Sequence, residues 1–565
     1  MTYSSRYARL EALAEQPEVP VLIVGGGVNG IGTFRDLAHQ GVDVLLVERG
    51  DFCGGASAAS SHMAHGGIRY LENGEFRLVS EALLERNRLL RNSPHNVKPL
   101  PTTIPIFKVF SGLFNAPLKF LGLMDRPAER GALVIKIGLI FYDWYARRLR
   151  VMPTHRMYGR AESQQRHPGL HPDVRYTARY YDGYMPCPER ICIELMQEGE
   201  AAHPGAAALN YVSMLSAEGA TVTLRDEITG RIFNVRPKVL INAAGPWIDL
   251  ANQTMGLATH FIGGTKGSHL ILDHPRLRAA IGDDEIFFEN KDGRIVLMLP
   301  FFERVMAGTT DIRIENPDDA RCTEEEVEYI LGMIERVFPD MQVDRSHIKF
   351  QFTGVRPLPT SRKGFTGNVS RDHHVEVVNP GAGLDFPVLS LVGGKWTSFR
   401  AFSEQTTDRT LELLGLPRIS STADMPFGGG VGYPHNEAEK AAWLDRVADE
   451  TGVPHERLTM LFETYGTNAE KIARFIAQGK DMPITGLETI SHREIMCLAQ
   501  QEHVEHLDDV LLRRSTIAMR GLLTPAVLEA LAHAVGEGLG WDNARIQEEV
   551  ERSKKYLKEH HAVTL

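Results

Sequence analysis

Residues 21–52 read VLIVGGGVNGIGTFRDLAHQGVDVLLVERGDF, and this stretch decides the fold. Residues 19–24 form a short apolar run of β character, and residues 42–48 form a second. Residues 30–40 between them read as a helix, so the unit is βαβ. Gly25, Gly27 and Gly30 make a GxGxxG directly after the first strand and at the start of the helix. The first glycine allows the tight turn, the second lets the backbone approach a pyrophosphate, and the third lets helix pack on strand. The helix N-terminus, with Asn29 just before it, offers unpaired N–H groups and the positive end of a dipole to phosphates. Glu48 closes the second strand, placed to accept hydrogen bonds from a ribose and to disfavour a 2′-phosphate. Strand, glycines, helix, second strand and terminal acid in this order point to dinucleotide binding rather than to a merely structural turn.

Two distant segments turn the dinucleotide into FAD. INAAGPW at residues 241–247 is a strand ending in small residues, with Ala244 and Gly245 suited to close backbone approach to a cofactor. LSLVGGKWTSFR at residues 389–400 is a strand, a Gly393–Gly394 turn and a helix start. Both segments would gather at the carboxyl ends of a parallel sheet, where such folds bind ligands. Backbone N–H groups after the glycine pair, together with Lys395, suit a flavin edge that gains negative charge on reduction. The expectation is FAD held non-covalently.

The rest of the chain sets limits. With 565 residues, two to four domains are expected at roughly 100–200 residues each. A net charge of −10 argues against a nucleic-acid partner. Five scattered cysteines without a CxxC pair suggest neither a metal site nor a disulfide framework, and fit a reducing compartment. The opening residues are polar and helix-like, without the apolar core of a signal peptide. No apolar run reaches the roughly 20 residues that would span a bilayer. Residues 75–90 read as a long helix, and residues 285–312 as antiparallel strands around glycine turns. A linker rich in Gly, Ser and Pro covers residues 417–435, and residues 436–565 read as a separate helical cap with little strand signal.

With ASAASSHMAHGGIRYLENGEFRLVSEAL at residues 56–83, KGSHLIL at 266–272, MAGTTD at 306–311 and TGVRPL at 353–358, the chain closely resembles the respiratory, FAD-dependent glycerol-3-phosphate dehydrogenases. The resemblance covers residues 19 to about 405. It implies a D-amino-acid-oxidase-like fold, in which an α/β, Rossmann-like FAD-binding domain (19–95, 175–255 and 350–415) is interleaved with a substrate and membrane-facing domain built on an antiparallel sheet (96–174 and 256–349). A C-terminal helical domain follows. It implies oxidation of sn-glycerol 3-phosphate to dihydroxyacetone phosphate by hydride transfer from C2 to flavin N5, with electrons passed to a membrane quinone. By motif, the substrate site falls on His65, Arg69, Tyr70, His269, Thr310, Arg356 and Lys395. Ser60, Ser61 and Thr397 join the glycines, Glu48 and Ala244 around the cofactor.

The residue types fit this chemistry. A phosphate monoester is nearly dianionic, and Arg69 and Arg356 can grip it through paired N–H donors, assisted by Lys395 or Tyr70. A positioned histidine takes the alcohol proton, His269 first and His65 second, or Arg356 lowers the alcohol pKa electrostatically and water takes it. Two stretches depart from the family pattern. His62 stands where relatives carry Lys in SSKLIHGG, and YYDGYMPCPERI at residues 180–191 replaces a D-x-x-x-D-D-A-R-L pattern. Another polyol phosphate, such as an erythritol phosphate, therefore stays open. So do an O2-using oxidase acting on an amine or amino acid and a flavin-binding regulator without turnover.

Residues 88–150 hold 11 Lys+Arg against 3 Asp+Glu in an otherwise acidic chain. Lys108, Ser111, Asn115 and Lys119 recur at helical spacing among Phe and Leu, with Pro117 set to kink such a helix. An apolar face bordered by cations suits an anionic membrane surface. The expectation is a peripheral, monotopic protein on the cytoplasmic face of the inner membrane, possibly a homodimer.

Overall fold

A computed structural model describes residues 6–68, 75–109, 131–147, 151–289, 295–360 and 372–565. Two large sheets organise it. In the first, the strands Val388–Val392, Ile232–Asn242, Glu18–Val24, Val44–Val47 and Ala206–Leu209 run parallel in that order. Val21, Leu22 and Ile23 of the central strand are all fully buried, as expected for a parallel strand covered on both faces. His374–Val378 closes one edge antiparallel, and the hairpin Val212–Glu218/Thr221–Asp226 extends the first half of Ile232–Asn242.

The second sheet is mostly antiparallel. Its order is Ile312–Arg313, Thr265–Leu272, Arg304–Gly308, Ile295–Phe301, Glu285–Glu289, Lys98–Ile106, Tyr176–Tyr184 and Met63–Ala64, with Ile348–Arg356 also paired to Thr265–Leu272. Tyr176–Tyr184 and Ile348–Arg356, expected in the FAD domain, thus belong to the substrate sheet. The reason is pairing: Tyr176–Tyr184 zips along the whole length of Lys98–Ile106, and Ile348–Arg356 runs alongside Thr265–Leu272.

Strand alternation lets this sheet serve two cores. Leu270, Leu272, Val296, Met298, Val305 and Ala307 pack against the helices Glu324–Val337 and Pro275–Ile281. Their neighbours Ile271, Leu297, Leu299, Met306, Phe350 and Phe352 share one core with the C-terminal helices. The C-terminal region is therefore not a detached cap. Its helices Glu437–Thr451, His492–Gln501, Pro525–Leu539 and Asn543–His561 start at Asn436, Ser491, Thr524 and Asp542, each of which accepts a backbone hydrogen bond as N-cap. A hairpin, Pro483–Ile484/Leu487–Ser491, interrupts the helices.

The expected linker at residues 417–435 is likewise packed. A Cβ on Gly429 would lie 1.9 Å from the Tyr465 carbonyl oxygen, and one on Gly430 would lie 2.1 Å from that of Asn92. Glycine is needed there for close contact rather than for looseness. Asp51, just past Glu48, is fully buried against Arg513 and Arg514 of the C-terminal region. Burial alone would raise its pKa, but the two guanidiniums hold the carboxyl well below the usual range.

Candidate active site

At the nucleotide end the backbone does the shaping. Gly25 has φ +114°, and a Cβ there would sit 2.6 Å from the Ala243 carbonyl. A Cβ on Gly30 would sit 2.0 Å from the Gly25 oxygen. The helix Val28–His39 begins at Gly27, and the Val28 N–H donates to Ser57 Oγ at 2.9 Å. The Glu48 carboxylate accepts from the N–H groups of Gly26 (2.7 Å) and Gly50 (2.9 Å). Burial raises its pKa, and these two bonds offset part of the rise.

Adjacent parallel strands end together here, with Val24 opposite Asn242 and Asn242 opposite Ser390. That register brings Gly25, Ala244, Gly245 (φ +56°), Gly393 (φ +82°) and Gly394 (φ +103°) to one edge. The Asn29 side chain lies against Gly394, and its buried Oδ1 has no hydrogen-bond partner among the described residues. A cradle bare of side chains with an orphaned buried acceptor fits a dinucleotide cofactor.

At the substrate end, side chains do the shaping. The strand Thr265–Leu272 sets His269 opposite Gly308 on one side and Phe352 on the other, and Thr265 opposite Arg356. His269 is buried, its ring stacked on Phe352 at 4.9 Å and 7°. A Cβ on Gly308 would lie 2.5 Å from its Cδ2. Nε2 lies 2.8 Å from Ser61 Oγ, and Nδ1 has no partner among the described residues. Burial first, then the charge of Arg356, lowers the imidazole pKa to about 3, so the ring is neutral.

Arg356 ends its strand. Its Nη2 donates to Thr309 Oγ1 (3.0 Å) and the Thr310 carbonyl (3.2 Å), and its Nη1 to Asp311 Oδ1 (3.2 Å). It lies over Gly267, where a Cβ would come within 2.4 Å of Nη2. The Thr310 hydroxyl, expected to meet substrate, instead donates to Glu326 Oε1 at 2.5 Å and accepts from the Ser268 N–H at 2.9 Å. Thr309 is the hydroxyl beside the arginine.

His65 is clamped through its backbone: its N–H donates to Thr397 Oγ1 and its carbonyl accepts from the same hydroxyl, both at 3.0 Å. Ser60 Oγ accepts from the His62 N–H at 3.2 Å. The charge of Lys395 reaches Glu81 and His373. Arg69 and Tyr70 lie outside the described residues.

A family model for FAD-dependent oxidoreductases (DAO) matches residues 20–398, and one for the C-terminal domain of alpha-glycerophosphate oxidase matches residues 420–546. A glycerol-3-phosphate dehydrogenase of Synechocystis is 30% identical over 96% of this chain and 96% of its own length. The chain belongs to the FAD-dependent glycerol-3-phosphate dehydrogenase family. It binds FAD. The mitochondrial glycerol-3-phosphate dehydrogenase of mouse is 28% identical over 98% of this chain and 75% of its own length. In fold, the glycerol-3-phosphate dehydrogenase of Bacillus halodurans, solved with FAD, superposes with a TM-score of 0.74 at 22% identity, covering 98% of this chain and 97% of that one.

In this member of the dehydrogenase family the two departures from the motif pattern have distinct places. His62 is fully buried in left-handed backbone (φ +53°), between Phe301 and Phe352, and burial lowers its pKa to about 4. A neutral ring thus stands where a lysine charge would have to be buried. In the other stretch, Asp182 accepts from Arg86 (2.9 Å), Tyr142 (2.5 Å) and the Gly66 N–H (3.1 Å), while Arg190 pairs with Glu502 of the C-terminal region.

Tyr142 also accepts from Gly66 N–H at 3.0 Å, tying the loop after His65 to the helix Ala132–Tyr145. On that helix Ile135, Leu139 and Tyr142 face inward, whereas Leu133, Ile137, Ile140, Phe141 and Trp144 form an exposed apolar stripe, 38–52% exposed. The Ser111, Asn115 and Lys119 pattern and Pro117 lie outside the described residues. No helix among the described residues is long and apolar enough to cross a membrane. No sequence motif singles out Glu326 or Tyr142; GTTD contains Thr309 and Asp311, and the stretch at residues 180–191 contains Asp182, but only the fold shows which threonine turns inward.

Proposed function

We propose that the protein oxidises sn-glycerol 3-phosphate to dihydroxyacetone phosphate and delivers the electrons to a quinone in a membrane on which it rests. The observation that carries the reading is Arg356: a guanidinium held by Thr309, Thr310 and Asp311 at the strand end, its charge felt at His269, in a chain that matches glycerol-3-phosphate dehydrogenases along almost its whole length. A fixed guanidinium presents its donors to a phosphate or a developing oxyanion without reorganisation. Arg69 and Lys395 supply the further positive charge that a dianion requires.

Bound FAD supplies the two-electron acceptor that takes the hydride from C2. Gly25, Gly27, Gly30, Asn29, Glu48, Ala244, Gly245, Gly393 and Gly394 would hold it. His269 is the residue that takes the alcohol proton. With Nε2–H donating to Ser61 Oγ, Nδ1, which is buried without a partner among the described residues, is the nitrogen that accepts the proton. A bound dianion offsets the Arg356 charge, one cause of the depressed pKa, and so strengthens the base.

The apolar stripe of Ala132–Tyr145 lies on the membrane; Arg147, stacked 4.7 Å over Trp144, places a cation at its rim. The test is turnover of sn-glycerol 3-phosphate with a water-soluble quinone, with and without anionic vesicles, and an erythritol phosphate as competitor. Dihydroxyacetone phosphate formed with quinone reduced, and protein pelleting with the vesicles, supports the reading. Preference for the longer substrate, or oxygen consumed in place of quinone, overturns it.

A further inference from the structure

One buried carboxylate next to this site has no part in the reaction just described. Glu326, in the first turn of Glu324–Val337, is almost fully buried and accepts four hydrogen bonds. Oε1 takes Thr310 Oγ1 (2.5 Å) and Ser268 Oγ (2.9 Å), and Oε2 takes Lys266 Nζ (2.7 Å) and the Thr323 N–H (3.0 Å). A helix cap needs only the last of these. The other three come from the strand Thr265–Leu272 and from the residue 309–311 loop to which Arg356 donates. Ser268 immediately precedes His269, and its N–H returns to Thr310 Oγ1 at 2.9 Å.

We infer that Glu326 is a positioning residue for the substrate-anion site: it fixes Thr310, and through Thr310 the residue 309–311 loop on which Arg356 rests. Thr310 can point its carbonyl at Arg356 only while its side chain is anchored underneath, and Glu326 is that anchor. The carboxylate is paired with Lys266, so it positions the arginine without opposing the substrate charge. The inference rests on the assignment of Arg356 to the substrate anion.

A double-mutant cycle on the FAD-loaded enzyme tests it. Glu326→Gln keeps the shape but puts an NH2 among donors. It is expected to lower kcat/KM for sn-glycerol 3-phosphate about 30-fold, mainly through KM, with FAD content unchanged. Glu326→Gln combined with Arg356→Lys is expected to be no worse than Arg356→Lys alone, within about twofold, because both act on one guanidinium. Should Glu326→Gln fail to fold, Thr310→Val removes the anchored hydroxyl in an isosteric side chain, and the same loss and the same non-additivity are expected. Losses that multiply in the double variant, or a Thr310→Val enzyme with unchanged kcat/KM, overturn the inference. Reduction of the wild-type flavin by sn-glycerol 3-phosphate tests the substrate assignment separately.

Discussion

The two halves of the active site are made of different material. The nucleotide half is backbone: its specificity lies in places where no side chain fits, such as Gly25 against Ala243 and Gly30 against Gly25. The proposed substrate half is side chain on side chain: Ser61 on His269, Glu326 on Thr310, Asp311 on Arg356. A backbone site tolerates almost no added volume but asks little of distant residues. A side-chain site tolerates volume better but depends on partners brought from far along the chain.

The comparison breaks most sharply at Gly30. Alanine is the better helix former by about 1 kcal/mol, yet its Cβ would meet the Gly25 carbonyl oxygen at 2.0 Å, with no flexible group to give way. Gly30→Ala should destabilise by at least about 3 kcal/mol and yield protein without FAD, read from the ratio of flavin to protein absorbance. Normal FAD content would mean the cradle is looser than the contacts imply.

His269→Asn probes the other half. It should lower kcat about 10²- to 10⁴-fold while FAD content stays at the wild-type level. If His65→Asn costs more than His269→Asn, the proton goes to His65.

Acid sharpens the contrast. His62 and His269 have pKa values of about 4 and about 3, below the ordinary 6.5, so each prefers to stay neutral when folded. Their contribution is fully present above pH 6.5 and is lost as pH falls towards the folded values. By pH 5 the loss is on the order of 2 kcal/mol each. Glu48 runs the other way: its raised pKa makes acidification favourable to the folded state. Hydrogen-exchange protection, corrected for the slower intrinsic exchange at lower pH, should therefore fall first between pH 7 and 5 in Met63–Ala64, next to His62, and in Thr265–Leu272, which carries His269, rather than in Glu18–Val24; a uniform fall would show the halves to be one acid-labile unit.

The smallest effect is expected at Tyr142. Phenylalanine there removes one hydroxyl but leaves the Asp182 bond to Gly66, so thermal stability should fall by about 1 kcal/mol and KM should rise less than tenfold.

The same difference of material explains what could be read in advance. The GxGxxG, Glu48 and the Gly393–Gly394 turn are local patterns, and the structure joins them at adjacent strand ends through pairings that such patterns imply. Family motifs single out His269 and Arg356, but not which of Thr309 and Thr310 faces the arginine, since both occupy one strand-end loop. Glu326 belongs to none of the sequence motifs, and only the fold brings Lys266, Ser268 and Thr310 around it. The glycines of residues 428–430 read as a linker because tight packing and looseness leave the same composition. The membership of Tyr176–Tyr184 in the second sheet depends on a partner at least 70 residues away, Lys98–Ile106.

We propose that the substrate half selects a phosphate monoester for oxidation at the flavin. The most direct test is to mix the FAD-loaded protein anaerobically with sn-glycerol 3-phosphate, and separately with glycerol, while following the visible flavin band. Rapid bleaching with one dihydroxyacetone phosphate formed per flavin is expected, and no bleaching by glycerol at the same concentration. A flavin that ignores the phosphate ester, or that both compounds reduce equally well, would contradict it.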